Sequence, residues 1–163
     1  MTSHVMDPVQ RSDHDGQPVQ RHLEILMNLS NLSLSTTALR RVLALDALSG
    51  LGAAVLHLAL ADSLAGWLGL PAALVSASGW AVLAFAAFAT ILARQVVPAR
   101  GALMALIVGN TLWSLGCLAL AWGGHLPVTP LGQAYLTVLA VAVLALADLE
   151  FLGWRRPSAL AAA

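Results

Sequence analysis

The chain contains no lysine: its eight basic side chains are all arginine. It has one cysteine, one tyrosine and only 10% charged residues. A single thiol, Cys117, can neither close an internal disulfide nor form a CxxC pair, which excludes the four-helix disulfide oxidoreductases as close relatives. Within an apolar run it reads as a small packing residue. With net charge zero and no basic run, nothing can track a phosphate backbone, so nucleic acid is not an expected partner. No Ser/His/Asp set, phosphate-cradling glycine loop or paired-histidine metal spacing occurs. A haem held by two histidines fails on count, because only His57 lies inside an apolar run and His125 falls in a connection. The expectation is a protein that is not an enzyme and holds no cofactor or metal.

What the chain has is apolar length. Of 163 residues, 59% are hydrophobic, and the mean hydropathy is +0.81. A soluble domain carries roughly 25% charged residues, so this composition belongs to the membrane class. Four runs, 42–64, 72–93, 102–122 and 131–152, each match the ~20 residues needed to cross a hydrocarbon core ~30 Å thick. Gly66, Gly69 and Pro71 end the first, Pro98 and Gly101 bracket the second turn, and Gly123, Gly124, Pro127 and Pro130 fill the third. Such short connections make sequence neighbours antiparallel neighbours in space. The expected fold is an all-α membrane protein, an antiparallel four-helix transmembrane bundle over residues 40–156. The lysine-free, Ala- and Leu-rich composition fits a GC-rich bacterial genome.

Residues 1–39 read as a cytoplasmic tail. The first twenty are polar and cannot bury a core, so they are expected to be disordered. No apolar segment of signal-peptide type follows them. His4 and His14 stand near Asp7, Asp13 and Asp15, but at spacings that fix no metal geometry. Residues 22–34 carry an imperfect helical stripe of Leu23, Ile25, Leu26, Leu29 and Leu32, the pattern of a helix lying in the interface. Thr36 or Thr37 is positioned to cap the first span. Residues 157–163 form a second cytoplasmic tail.

Arginine placement gives orientation. Arg40 and Arg41 precede span one, Arg94 and Arg100 lie between spans two and three, and Arg155 and Arg156 follow span four. The other two connections hold no lysine or arginine. By the positive-inside rule both termini and the middle turn are cytoplasmic, in a bacterial inner membrane. Trp67 and Trp122 mark the outer boundary and Trp154 the inner one. A faint echo between Trp67–Pro71 and Trp122–Pro127 would make any duplication parallel rather than inverted.

Ionisable groups inside spans are the candidates for function, since each costs about 2.5–3.5 kcal/mol at mid-membrane. Asp46, Ser49, Gly50, Ala53, Ala54 and His57 share one stripe, although Asp46 and His57 are ~16 Å apart along the axis. Asp148 and Glu150 lie about 200° apart around their helix and cannot share a face. Glu150, on the small-residue side, is the expected inward group, with Arg41 or Arg94 as ion-pair partner. On span three, Gly101, Ala105, Gly109 and Gly116 make a small packing face. Asn110, Ser114 and Cys117 make a mildly polar face, and Asn110, near the midplane, should hydrogen-bond across to span one or span four.

Leu68-Gly69-Leu70-Pro71, Asn110-Thr111-Leu112-Trp113 and Glu150 followed by Gly153 and Arg155-Arg156 give residues 40–156 the look of a known type. The chain resembles the small uncharacterised four-span proteins of bacterial inner membranes and shares the size and plan of DoxX-like proteins. The resemblance implies architecture, not activity. Exposed small-residue faces and few polar groups lead to the expectation of a non-enzymatic bundle in the lipid bilayer, a homo-oligomer or a subunit of a larger membrane complex. The alternative is a small proton-coupled transporter using Asp46, His57, Asn110 and Glu150.

Overall fold

The computed structural model describes residues 34–155. The expected polar tail, interfacial helix, Arg156 and C-terminal tail lie outside the described residues. Within them the chain is helical: α1 Thr36–Ala59, α2 Ala61–Leu68, α3 Ala72–Arg94, α4 Arg100–Trp122 and α5 Pro130–Trp154. All but α2 are long and apolar enough to cross a membrane, with mean hydropathies from 1.8 to 2.1.

The start of α1 departs from the expected one. Its cap is Ser35, whose Oγ accepts from the Ala38 amide at 3.1 Å, and not Thr36 or Thr37. Both threonines already have helical geometry, whereas a cap must sit one step outside it. Arg40 and Arg41 therefore lie within α1 rather than before it. The far end differs too, because the run to Leu64 is not one rod. Leu60 (φ −121°, ψ 28°) breaks it, and Ala61 opens the short α2. Backbone bonds flank the bend, Leu60 to the Leu56 carbonyl at 3.0 Å and Leu64 to the Leu60 carbonyl at 2.8 Å. Neither proline nor glycine occupies it, and nothing local explains it.

Gly69 closes α2 in the left-handed region (φ 70°), with its own amide and that of Leu70 both reaching the Ala65 carbonyl at 3.0 and 3.1 Å. A side chain there would meet the Pro127 carbonyl, so the turn needs glycine twice over. The α4–α5 connection lies on this turn. Thr129 caps α5 by accepting from the Gly132 amide at 3.0 Å. Its hydroxyl donates to the Trp67 carbonyl at 2.7 Å and its amide to the Leu68 carbonyl at 3.0 Å. The cap of one helix thus satisfies the last carbonyls of another.

The main packings are α1 on α3 and α4 on α5, with α1 and α5 joining the two pairs. Along α1 and α3, Arg40 Nε donates to the Ala93 carbonyl at 2.9 Å, Gly50 meets Ala86, and His57 meets Gly79. Leu39 fits against Gly153, and Arg100 donates to the Trp154 carbonyl at 3.2 Å with its guanidinium over the indole. One apolar cluster, around Leu43, Leu92 and Leu106, fills the arginine end. Others fill the opposite end around Leu68, Val75 and Leu136. Between them lies a polar layer.

Candidate functional site

Asp46, Asn110 and Glu150 come from three helices, and each reaches the layer by its place on a buried stripe. On α1 Asp46 falls with Val42, Leu43 and Ala47. On α4 Asn110 continues the line of Leu103, Leu106 and Ile107 into Ser114 and Cys117. On α5 Glu150 lies between Ala147 and Gly153, where small neighbours let the other helices close over it. Glu150 is 0% exposed and Asp46 9%.

One amide links the two acids. Asn110 Nδ2 donates to Asp46 Oδ2 at 3.4 Å and to Glu150 Oε2 at 3.3 Å. An amide nitrogen has two hydrogens, so it can serve one oxygen of each acid and no more. Both bonds are long against the usual range of about 2.7–3.2 Å. Glu150 Oε1 is buried with no hydrogen-bond partner among the described residues. Ser114 Oγ donates to the Asn110 main-chain carbonyl at 2.9 Å, and Ser49 Oγ donates to the Asp46 main-chain carbonyl and not to its carboxyl.

A cavity of about 380 Å³ adjoins this layer. Asp46, Ser49 and Asn110 line it at one end and His57 at the other, with Val82, Phe85, Trp113 and Leu139 among its apolar walls. The structure therefore brings Asp46, Asn110 and Glu150 together and puts His57 across the same cavity. Asp148 is exposed on the other side of α5. Arg41 and Arg94 line a separate cavity, and the group set against Glu150 is the neutral Asn110 rather than an arginine.

His57 anchors a second polar set that the sequence did not single out. Its Nε2 lies 2.6 Å from Tyr135 Oη, and its Nδ1 lies 2.8 Å from Ser78 Oγ. Ser78 Oγ also donates to the Val75 carbonyl at 2.7 Å. Counting protons assigns the directions. Ser78 has one hydrogen and the carbonyl can only accept, so Nδ1–H must donate to Ser78. A neutral imidazole then accepts from the Tyr135 hydroxyl at Nε2. The one available signal was the rarity of such groups, since Tyr135 is the sole tyrosine. Beyond His57 a further cavity of about 520 Å³ reaches Ser78, Cys117 and Tyr135. His57, Phe85, Trp113 and Leu139 line both cavities, so this ring of side chains lies between them.

Among the described residues, no three His, Cys, Asp or Glu side chains converge as a metal-ligand set. Comparison of the chain with protein-family models, curated proteins and solved structures finds no match.

Proposed function

We propose that the protein is a non-enzymatic, multi-pass component of a bacterial cytoplasmic membrane, acting as a small carrier coupled to protons or a monovalent cation. Its architecture on this reading is an antiparallel four-helix bundle with both termini cytoplasmic. Along α1 and α3 the pairs Arg40–Ala93, Gly50–Ala86 and His57–Gly79 run in opposite senses, which supports that arrangement.

The observation that carries the transport reading is the single amide between two buried acids, with Asp46 and Asn110 lining a cavity and Glu150 behind them. Two negative charges at this depth without a cation are costly. A proton or small cation taken up by the pair cancels one of the two charges and lowers that cost, and its loss restores it. Occupancy of Asp46 and Glu150 is thus tied to the hydrogen bonds that Asn110 makes to both. Apolar walls suit a small solute with a largely hydrocarbon body. Purified protein in proteoliposomes is expected to dissipate an imposed pH gradient when such a solute is supplied. Asp46→Asn and Glu150→Gln should each abolish this while leaving folded protein in the bilayer. Gradient decay identical to empty liposomes, across solutes of both charge signs, would remove the reading.

A second reading, an oligomer or complex subunit, rests on α4. Gly101 and Gly116 have open space where a side chain would lie, and Ala105 is exposed, which leaves room for a neighbouring backbone. A monomeric mass in several mild detergents, with no co-purifying protein, would count against it.

A further inference from the structure

The cavity at the arginine end of α1 and α3 has no part in the transport reading. It measures about 690 Å³ and is lined by Arg40, Arg41 and Arg94, with Thr37 and Thr90, above an apolar floor that includes Leu48, Leu51 and Leu83. No acidic residue lines it among the described residues. Arg40 is held by its Nε bond to the Ala93 carbonyl, which leaves its two terminal nitrogens to donate elsewhere. Arg41 and Arg94 are exposed and have no hydrogen-bond or ion-pair partner among the described residues.

Length decides the occupant. From Arg40 to Leu51 is eleven residues along α1, and from Arg94 back to Leu83 is eleven along α3. At ~1.5 Å per residue each run covers ~16 Å, about half of a hydrocarbon core ~30 Å thick. The groove is one leaflet deep, cationic at its mouth and apolar below. Ala44, Ala47, Ala86 and Ala87 keep it open by leaving space that larger side chains would fill.

We infer that this groove binds one anionic glycerophospholipid, its phosphate against Arg40, Arg41 and Arg94 and one acyl chain along Leu48, Leu51 and Leu83. A free phosphate would use only the mouth; a zwitterionic lipid would use the floor and offer a phosphate, but would bring the cationic group of its headgroup against the three arginines. Basic pockets between membrane helices are suited to such headgroups. The inference stands on the membrane placement and not on transport.

Native mass spectrometry of the full chain, released from detergent containing dioleoylphosphatidylglycerol or dioleoylphosphatidylcholine, tests it. One phosphatidylglycerol should stay bound under activation that strips phosphatidylcholine. Arg41→Gln with Arg94→Gln should weaken retention on the order of fivefold per arginine. Arg41→Lys with Arg94→Lys should restore most of it, which separates lost charge from lost folding. Ala44→Trp, which fills the floor and spares every arginine, should also lower retention. Equal retention of the two lipids, or an unchanged Gln pair, overturns the proposal. So does Ala44→Trp without effect, since that would leave only surface charge. Inorganic phosphate raising the melting temperature as much as phosphatidylglycerol would also overturn it. A dimer that Ala44→Trp splits would assign the groove to a second copy instead.

Discussion

At the scale of single residues, the polar layer and the His57 set differ in how much their hydrogen bonds matter. Interhelical bonds in membranes average only about 0.6 kcal/mol, because an unfolded helix finds other partners. Tyr135→Phe, which removes one hydroxyl from His57 and leaves the ring packed, is therefore expected to cost about that much. Asn110→Leu is different in kind. It strips both carboxyls of their common donor, and Glu150 already has one unpartnered oxygen. A loss of about 1–3 kcal/mol follows from leaving buried polar groups unserved. Unfolding titrations of both variants in mixed micelles should rank Asn110→Leu well below Tyr135→Phe, and equal losses would mean that Asn110 does not hold the acids. The proton count at His57 carries a further prediction: imidazole ¹⁵N shifts of the neutral form should report the hydrogen on Nδ1. Part of this layer was readable beforehand. The turn of about 200° between Asp148 and Glu150 puts them on opposite faces, and the structure has the first exposed and the second buried. Asn110 needed a partner on another helix because of its depth; it has one on each of two. Charge complementarity pointed from Glu150 to Arg41 or Arg94, but periodicity cannot say how far a guanidinium lies around the bundle. The pairing of Ser78 and Tyr135 with His57 was hidden for the same reason, as each meets it only through tertiary contact.

Among elements, glycine marks where helices are forced together and where they are not. A Cβ on Gly132 would meet the Leu68 carbonyl, and on Gly69 it would meet the Pro127 carbonyl from a left-handed backbone. Backbone cannot step aside as a side chain can. Gly69→Ala and Gly132→Ala should each destabilise by more than about 1 kcal/mol, by displacing Thr129 from the end of α2. Gly116→Ala should do the reverse. It sits mid-helix with open space, so the gain is roughly 0.5–1 kcal/mol from the reduced freedom of the unfolded chain. Thermal unfolding in one detergent compares all three. Destabilisation by Gly116→Ala under conditions where the protein self-associates would favour a neighbour on α4. Hydropathy made the four long helices legible, since length and composition alone mark them. It could not find the bend at Leu60, because an apolar run reads alike on both sides of a kink. Nor could it distinguish a helix that begins at Thr36 from one that begins after the arginines, because the first turns at a membrane boundary are polar in either case.

For the whole molecule, the described arginines gather at one end. Arg40 reaches the last turn of α3, and Arg100 reaches the end of α5, so the start of α1, the end of α3, the start of α4 and the end of α5 meet there. At the opposite end Thr129 ties the α4–α5 connection to α2, and exposed Trp67 and Trp122 flank connections that contain no arginine. Segregation of this kind is what the positive-inside rule reads as orientation. Alkaline phosphatase fused after Leu70 or Leu126 should be active, and a fluorescent protein fused after Gln95 or Arg155 should fold and fluoresce. Because the bias is spread over several clusters, Arg94→Gln with Arg100→Gln should leave these readouts unchanged. Two arginines introduced at Gly124 and His125 should split them, since the added charge then opposes the first helix. The inverse pattern in the unmodified chain would move Asp46 and Glu150 to the outer half of the bilayer.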